Sequence, residues 1–318
     1  MKPVAMRDAL LERIWQEMNE RKEIFFLSAD FGSPVLDKIR ADHPDRFINV
    51  GIAEQNLINV AAGLALEGYT VFAYAIAPFI TMRCYEQIRV NLVLLSEVRR
   101  MNVNLIGVGA GYSYFMSGPT HQCYEDITLM RALPSMHVMS PADHVSAASL
   151  LERCINHDGP KYLRLDAQIL PVIYPLHDLG LDKGFRILRS GNDSVIIGTG
   201  YMVHTALKAA ETLGNAGLSV GVIDLFDLSY FDQDGLLAHI RQYATIVSME
   251  EGFSSRGGMD SMLFDLISGA DLPTKLLNIG VTGGYSFELG TREELHELAG
   301  IGSKVCLVKI RAALAVAQ

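Results

Sequence analysis

The sequence predicts an α/β fold built as two consecutive, mainly parallel-sheet domains. Short apolar runs alternate with amphipathic runs of helical length along almost the whole chain. The alternation breaks once, at about 168–185, where Pro171, Pro175, Gly180 and Gly184 cluster. A chain of 318 residues is long enough for two domains of ordinary size. Strands alternating with helices imply a parallel sheet covered on both faces. The domains are placed at 1–170 and 189–318, with a linker over 171–188.

Each element has its own signal. Met6, Leu10, Ile14 and Met18 recur every fourth residue, with Leu11 and Trp15 beside them, and predict an amphipathic helix. Glu23–Ala29 is a short apolar strand, and Ser28 to Pro34 reads as a loop. Further strands are expected near Phe47–Val50, Thr70–Ala75, Asn104–Val108, His137–Ser140 and Tyr162–Leu165, with helices at about 54–67, 80–97, 123–132 and 143–156. The second domain repeats the alternation. Its strands are Ser194–Thr199, Ser219–Asp224, Thr245–Met249 and a run near Lys275–Ile279. Its helices are Val203–Ala216, Gly235–Gln242, Gly257–Ser268, one near Thr291–Leu298 and a closing helix.

Composition excludes some partners. Net charge is −9 and no cluster of Lys and Arg occurs, which argues against nucleic acid or an anionic membrane. Residues 101–124 carry no Asp, Glu, Lys or Arg, but Asn102, Asn104, four glycines and Pro119 interrupt them, so they read as a buried strand and a Gly-rich loop rather than a membrane span. Hydrophobic residues make up 49% of the chain and the mean hydropathy is +0.21. Such values fit either a large core or surface buried against other subunits. Cys84, Cys123, Cys154 and Cys306 show no metal-ligand spacing, and the first residues lack an apolar signal core. Reduced thiols and a cytoplasmic location are expected.

Three residues invite a chemical reading. Glu54 stands where a loop turns into a mostly apolar helix. A helix dipole alone would favour an acid there, and so would a role in hydrogen-bonding the ring nitrogen of a heterocyclic cofactor. Phe79, at a strand-to-helix junction, is either core or a stacking platform. His121 follows a Gly-Pro turn just before a helix and is either structural or catalytic. In open α/β sheets ligands bind beyond the carboxyl ends of strands. Asp30, Glu54, the 75–81 segment and the 109–121 loop all follow expected strands.

The order and spacing of these residues resemble the C-terminal half of transketolase, and more closely the separate C-terminal subunit of split transketolases. Ser28-Ala29-Asp30 is similar to the family's Ser-Ala-Asp-Leu segment. The run from Asp45 through Arg46, Phe47, Ile48, Asn49, Val50, Gly51, Ile52, Ala53, Glu54 and Gln55 to Asn56 resembles the split-subunit signature. Gly118-Pro119-Thr120-His121-Gln122 repeats a family motif, and the segments starting at Arg131 and Ser140 resemble its Arg-Ala-Leu-Pro-Asn-Met and Arg-Pro-Ala-Asp. The resemblance covers essentially the whole chain: a pyrimidine-binding domain for thiamine diphosphate, then a transketolase C-terminal domain. It implies that Glu54 is catalytic and hydrogen-bonds N1′ of the aminopyrimidine. Phe79 would stack on that ring, and Asp30 would lie close to the cofactor at a subunit interface. His121 would handle oxygens of the donor ketose, Ser117 would face the sugar, and Arg7 would help hold a sugar phosphate. Glu250-Glu251 and Gly257-Gly258 are similar to a Glu-Glu…Gly-Gly segment of the family, and the acid pair alone could equally be a solvated strand end or a dimer contact.

The resemblance also marks what this chain lacks. No Gly-Asp-Gly motif of the kind that holds Mg²⁺ and the diphosphate is present; His157-Asp158-Gly159 comes nearest and Pro160 follows it. No metal ligands are therefore expected here. Mg²⁺ would be held by a separate N-terminal subunit, the simplest assembly being an α2β2 heterotetramer active only when both halves are present. At the substrate end Ser117 replaces the family's Asp, and Gly109, Ala167 and Pro34 (with Ser33 adjacent) stand at phosphate-ligand positions. Among those ligands Arg7 keeps its counterpart, and Arg83 and Arg164 are either solvated or paired or, as the less common case, supply a relocated anion site. The activity implied is transfer of a two-carbon ketol unit from a ketose to an aldose, with unphosphorylated or otherwise non-standard sugars. Acyloin, deoxyxylulose-type or 2-oxoacid decarboxylase chemistry is the enzymatic alternative, and a non-catalytic scaffolding subunit the other.

Overall fold

The structure, a computed structural model, describes residues 2–175 and 181–315. Residues 176–180 of the expected linker lie outside the described residues. The chain divides into two compact units, Met1–Ala110 with Leu129–Leu179, and Gly111–Thr128 with Gly180–Gln318. Both are α/β, as the alternation predicts.

The first unit holds strands β1 (Ile24–Ser28), β2 (Phe47–Asn49), β3 (Thr70–Ile76), β4 (Asn102–Val108), β5 (His137–Met139) and β6 (Gly159–Leu165). Their order in the sheet is β2-β1-β3-β4-β6-β5, and every pairing is parallel. All seven residues of β4 are buried. That explains a stretch without charge: both faces of a parallel strand lie under other elements. The order in which strands are added to the sheet reverses between β1 and β3, since β2 lies on one side of β1 and β3 on the other. Loops leaving the carboxyl ends of those strands therefore diverge and leave a crevice, the usual ligand position in such sheets.

Helix Met6–Glu20 buries Met6, Leu10, Leu11, Ile14 and Met18, the residues that set its period. A helix at Pro34–Asp42, absent from the sequence reading, starts where Ser33 Oγ accepts from the Val35 amide and proline fills the first turn. Residues 80–97 are not one regular helix. Wide π-type turns over Phe79–Arg83 and Ile88–Leu94 flank a short α-helical turn at Tyr85–Gln87. Thr81 Oγ1 donates to the Ala77 carbonyl at 2.7 Å and Cys84 Sγ to the Ile80 carbonyl at 2.7 Å. These side chains compete with backbone amides for the same acceptors, a local cause of a disturbed ladder.

In the second unit the strands are β7 (Phe185–Arg189), β8 (Ser194–Gly198), β9 (Val220–Leu225), β10 (Thr245–Phe253) and β11 (Lys275–Val281), in the order β11-β10-β8-β9-β7. Only β7 among them runs antiparallel, as an edge on β9. It begins within the Pro- and Gly-rich stretch that reads as linker, because its five residues, with Phe185 buried, Ile187 exposed and two half-buried arginines, lack an apolar signature. The segment 111–128, by sequence part of the first domain, belongs to this unit: Tyr112 and Tyr124 sit in the same core as Ile196, Val222, Met249 and Ile279.

Candidate functional site

Glu54 opens helix Glu54–Leu66, five residues after β2 ends. Ala53, at the N-cap, offers no side-chain acceptor to the first amides. The carboxylate is therefore the anion beside the positive end of the helix. It is only 2% exposed. Such an acid needs a partner, and Arg83 Nη1 provides it, donating to Glu54 Oε2 at 2.6 Å. The same guanidinium lies 4.5 Å from the centroid of the Phe79 ring. The π-type turn over Phe79–Arg83 puts ring and cation on one short stretch. Glu54 and Phe79, 25 positions apart in sequence, thus share a single planar partner. Burial pushes the neighbouring Cys84 thiol up to about 12, and the charge of Glu54 adds to the shift. That thiol is inert in this setting.

Asp30 and Arg7 lie around the loop that leaves β1. Asp30 takes a positive φ of 57°, a conformation Asp tolerates better than most residues. Asn49 Nδ2 donates to its Oδ1 at 2.9 Å, which ties the β1 loop to the end of β2. Phe31 stacks on Tyr74 of β3 at 5.0 Å, and the Arg7 guanidinium lies 6.0 Å from the Phe31 centroid. Arg7 Nε donates to Asp8 Oδ1 at 2.8 Å, and Ser33 Oγ donates to the same oxygen at 2.9 Å. Burial lowers the Arg7 pKa, but the Asp8 and Tyr74 contacts outweigh it and keep the guanidinium charged. Arg164 is buried within β6. Arg83 is paired with Glu54, one of the two roles the sequence leaves open for it.

Ser117 and His121 belong to the second unit. Ser117 is exposed and His121 half-buried, with its Nδ1 3.0 Å from Thr120 Oγ1 and its amide donating to the Gly118 carbonyl at 3.1 Å. Their loop has a fixed neck. Gly111 and Cys123 exchange backbone hydrogen bonds at 2.9 Å, and the Tyr112 and Tyr124 rings meet at 4.6 Å. The Tyr112 amide donates to Glu251 Oε1 at 3.3 Å.

Sequence reasoning left Glu250 and Glu251 as a solvated strand end or dimer contact; both are buried at 1% exposure. Glu251 accepts from Arg292 Nη2 at 2.7 Å and from Arg292 Nε at 3.1 Å, with His296 Nε2 2.6 Å away. Burial raises its carboxyl, but Arg292 and His296 together outweigh that and hold it below the ordinary carboxylate range. Arg292 also stacks on Tyr201 at 3.5 Å. Glu250 caps the next helix, accepting from the Met259 and Asp260 amides at 3.0 and 2.8 Å. A Cβ at Gly258 would come within 2.5 Å of the Glu250 carboxylate, which accounts for one glycine of the Gly-Gly pair.

Among the described residues no three His, Cys, Asp or Glu side chains are grouped to hold a metal ion. No helix among them is long and apolar enough to cross a membrane.

Residues 2–172 match the family described as "Transketolase, pyrimidine binding domain", and residues 184–305 that described as "Transketolase, C-terminal domain". A 6-deoxy-6-sulfo-D-fructose transketolase subunit from Clostridium sp. is 29% identical over 300 residues, covering 94% of this chain and 91% of that one. One of the subunits of an apulose-4-phosphate transketolase from Actinobacillus succinogenes is 31% identical over 261 residues, 82% of each chain. Among solved structures, a split-gene transketolase described as an inactive β4 tetramer superposes with a TM-score of 0.86 at 30% identity, over 99% of both chains.

Proposed function

The chain belongs to the transketolase family, and from that premise we propose that it is the C-terminal subunit of a split, thiamine diphosphate-dependent enzyme. Its reaction is transfer of a two-carbon ketol unit from a ketose to an aldose. One observation carries the reading: the buried Glu54 carboxylate and the Phe79 ring hold one planar, nitrogen-bearing group between them. An aminopyrimidine asks for the same two contacts, a carboxyl at its edge and an aromatic face beside it. The residues present therefore fit the cofactor's pyrimidine half.

When bound, thiamine diphosphate supplies the electron sink for the ketol fragment. Glu54 would hold a proton at N1′, and its burial keeps bulk water from that exchange. Phe79 would fix the tilt of the ring, and Asp30, tethered by Asn49, would line the cofactor's edge. His121 and Ser117 would contact sugar oxygens, and Arg7 an acidic group on the sugar. A separate N-terminal subunit would hold Mg²⁺ and the diphosphate in an α2β2 assembly. Four buried, free cysteines support a reducing, cytoplasmic setting.

The sugar's acid need not be the usual phosphate. The names of the two relatives span a sulfonated and a phosphorylated sugar. Ser117, Gly109 and Ala167 stand here where the family's sugar and phosphate ligands would be. Comparing kcat/KM for xylulose, xylulose 5-phosphate and a 6-sulfonated ketose in the assembled complex tests this; a strong preference for xylulose 5-phosphate overturns it. The cofactor reading is tested separately by Glu54→Gln. A complex that keeps full activity with that substitution would make Glu54 structural.

A further inference from the structure

The contact that makes the site legible also closes it. Glu54 Oε2 is taken by Arg83 at 2.6 Å, and the same guanidinium lies 4.5 Å from the Phe79 centroid. A guanidinium is planar, carries N–H donors in its plane and stacks on aromatic faces. In those three respects it copies an aminopyrimidine protonated at N1′, whose N–H would donate to Glu54. Resting on the cofactor reading above, we propose that Arg83 is a built-in occupant of the pyrimidine site, which must leave Glu54 and Phe79 before thiamine diphosphate can engage them.

The setting suits a movable occupant. The Arg83 side chain is 44% exposed while that of Glu54 is 3% exposed, so the carboxylate is fixed and the cation is the partner with room to move. Four rotatable side-chain bonds and a water-facing flank let the arginine withdraw without unfolding its turn. Glu54 cannot be left alone: removing the charge partner of a buried carboxylate is costly, so the occupant leaves only as another donor arrives. Arg83 thereby sets how strongly the site discriminates between a ligand that satisfies Glu54 and one that does not.

The consequence is a population effect. If the Arg83-occupied form dominates the cofactor-free state, apparent affinity is reduced by the fraction of sites that are open. The test is equilibrium and stopped-flow binding of thiamine diphosphate, with Mg²⁺, to the purified two-subunit complex. Arg83→Met keeps an apolar stem and removes the donor. It is expected to lower the dissociation constant about tenfold and to speed association, as expected when an occupied form about nine-tenths populated is lost. Arg83→Lys keeps the charge but not the plane and should fall between. The melting temperature of the cofactor-free Arg83→Met chain should drop, while that of its cofactor-saturated complex should not. Unchanged or weaker binding by Arg83→Met, in a complex whose wild type binds well, overturns the role of Arg83 alone. Failure of wild type and variant alike to bind the cofactor overturns the cofactor reading, and this inference with it.

Discussion

A carboxylate and a ring do not make a site until something holds them to a common partner, and Arg83 shows that Glu54 and Phe79 have one. Glu54→Gln keeps the size and the hydrogen-bonding reach of the side chain but not its proton chemistry. The expected loss is at least about 100-fold in kcat of the assembled complex, with circular dichroism unchanged. Lys161 is a second residue whose environment dictates behaviour. Its ammonium is buried, donating to Asn102 Oδ1 at 2.9 Å and the Gly159 carbonyl at 3.0 Å, and burial lowers its pKa to about 8. Between that value and the ordinary one the unfolded chain binds the extra proton, so stability rises with pH across this window. From pH 7.5 to 9.5 Lys161 should contribute a gain of about 2 kcal/mol in urea unfolding. The gain should vanish in Lys161→Met; an equal rise in both proteins would assign it to other groups.

Elements here are held by buried acids that reach across to other segments. Asp143 caps helix His144–Ser149 by accepting from the Ser146 amide at 2.8 Å, and its other oxygen accepts from the Ile173 and Tyr174 amides at 2.7 and 2.9 Å. Its place in the Ser-Pro-Ala-Asp motif is thus explained by structure, without any role at the site. Asp143→Ala loses a cap and strands the buried Tyr174 amide and the half-buried Ile173 amide, for a cost of about 3 kcal/mol, measurable by chemical denaturation. Glu251 does the corresponding work in the second unit, joining Arg292 and His296 to the neck of the His121 loop. Gly111 has φ +54, and a Cβ there would overlap the Glu251 carboxylate. Gly111→Ala should therefore destabilise the protein by about 2–4 kcal/mol. At concentrations of denaturant that leave the protein folded, it should lower kcat more than it raises KM, because the loop it disturbs carries His121.

For the whole molecule, the composition left open whether apolar residues fill a core or cover a surface. Both occur. Two sheets are buried within their units, yet Ile52 is 76% exposed beside Glu54, and Met116, Phe287 and Leu289 are exposed as well. Ile52 stands two residues from Glu54 and Met116 next to Ser117 in sequence, and large apolar side chains exposed on a unit are the kind that a partner chain covers. The chain alone should be inactive and bind thiamine diphosphate weakly. Titrating in the N-terminal subunit should raise activity to a plateau at an equimolar ratio, followed by light scattering and ketol-transfer rate. Full activity of the chain alone would remove the need for a partner.

The sequence by itself determined the fold class, because a parallel sheet writes its buried strands as continuous apolar runs and its helices as a four-residue period. It also determined which residues to suspect, since Glu54, Phe79 and His121 stand in motifs whose order is local information. It did not reveal the helix at Pro34–Asp42, whose Ser33-Pro34 start also reads as part of a loop, or the edge strand Phe185–Arg189, which carries two arginines and no continuous apolar run. Tertiary structure alone decided the partners. That Arg83 serves Glu54, that Glu251 serves Arg292 and His296, and that 111–128 joins the second unit all depend on residues brought together across long stretches of chain. A buried charge must find its counter-charge in space, and distance along the chain does not record where that will be.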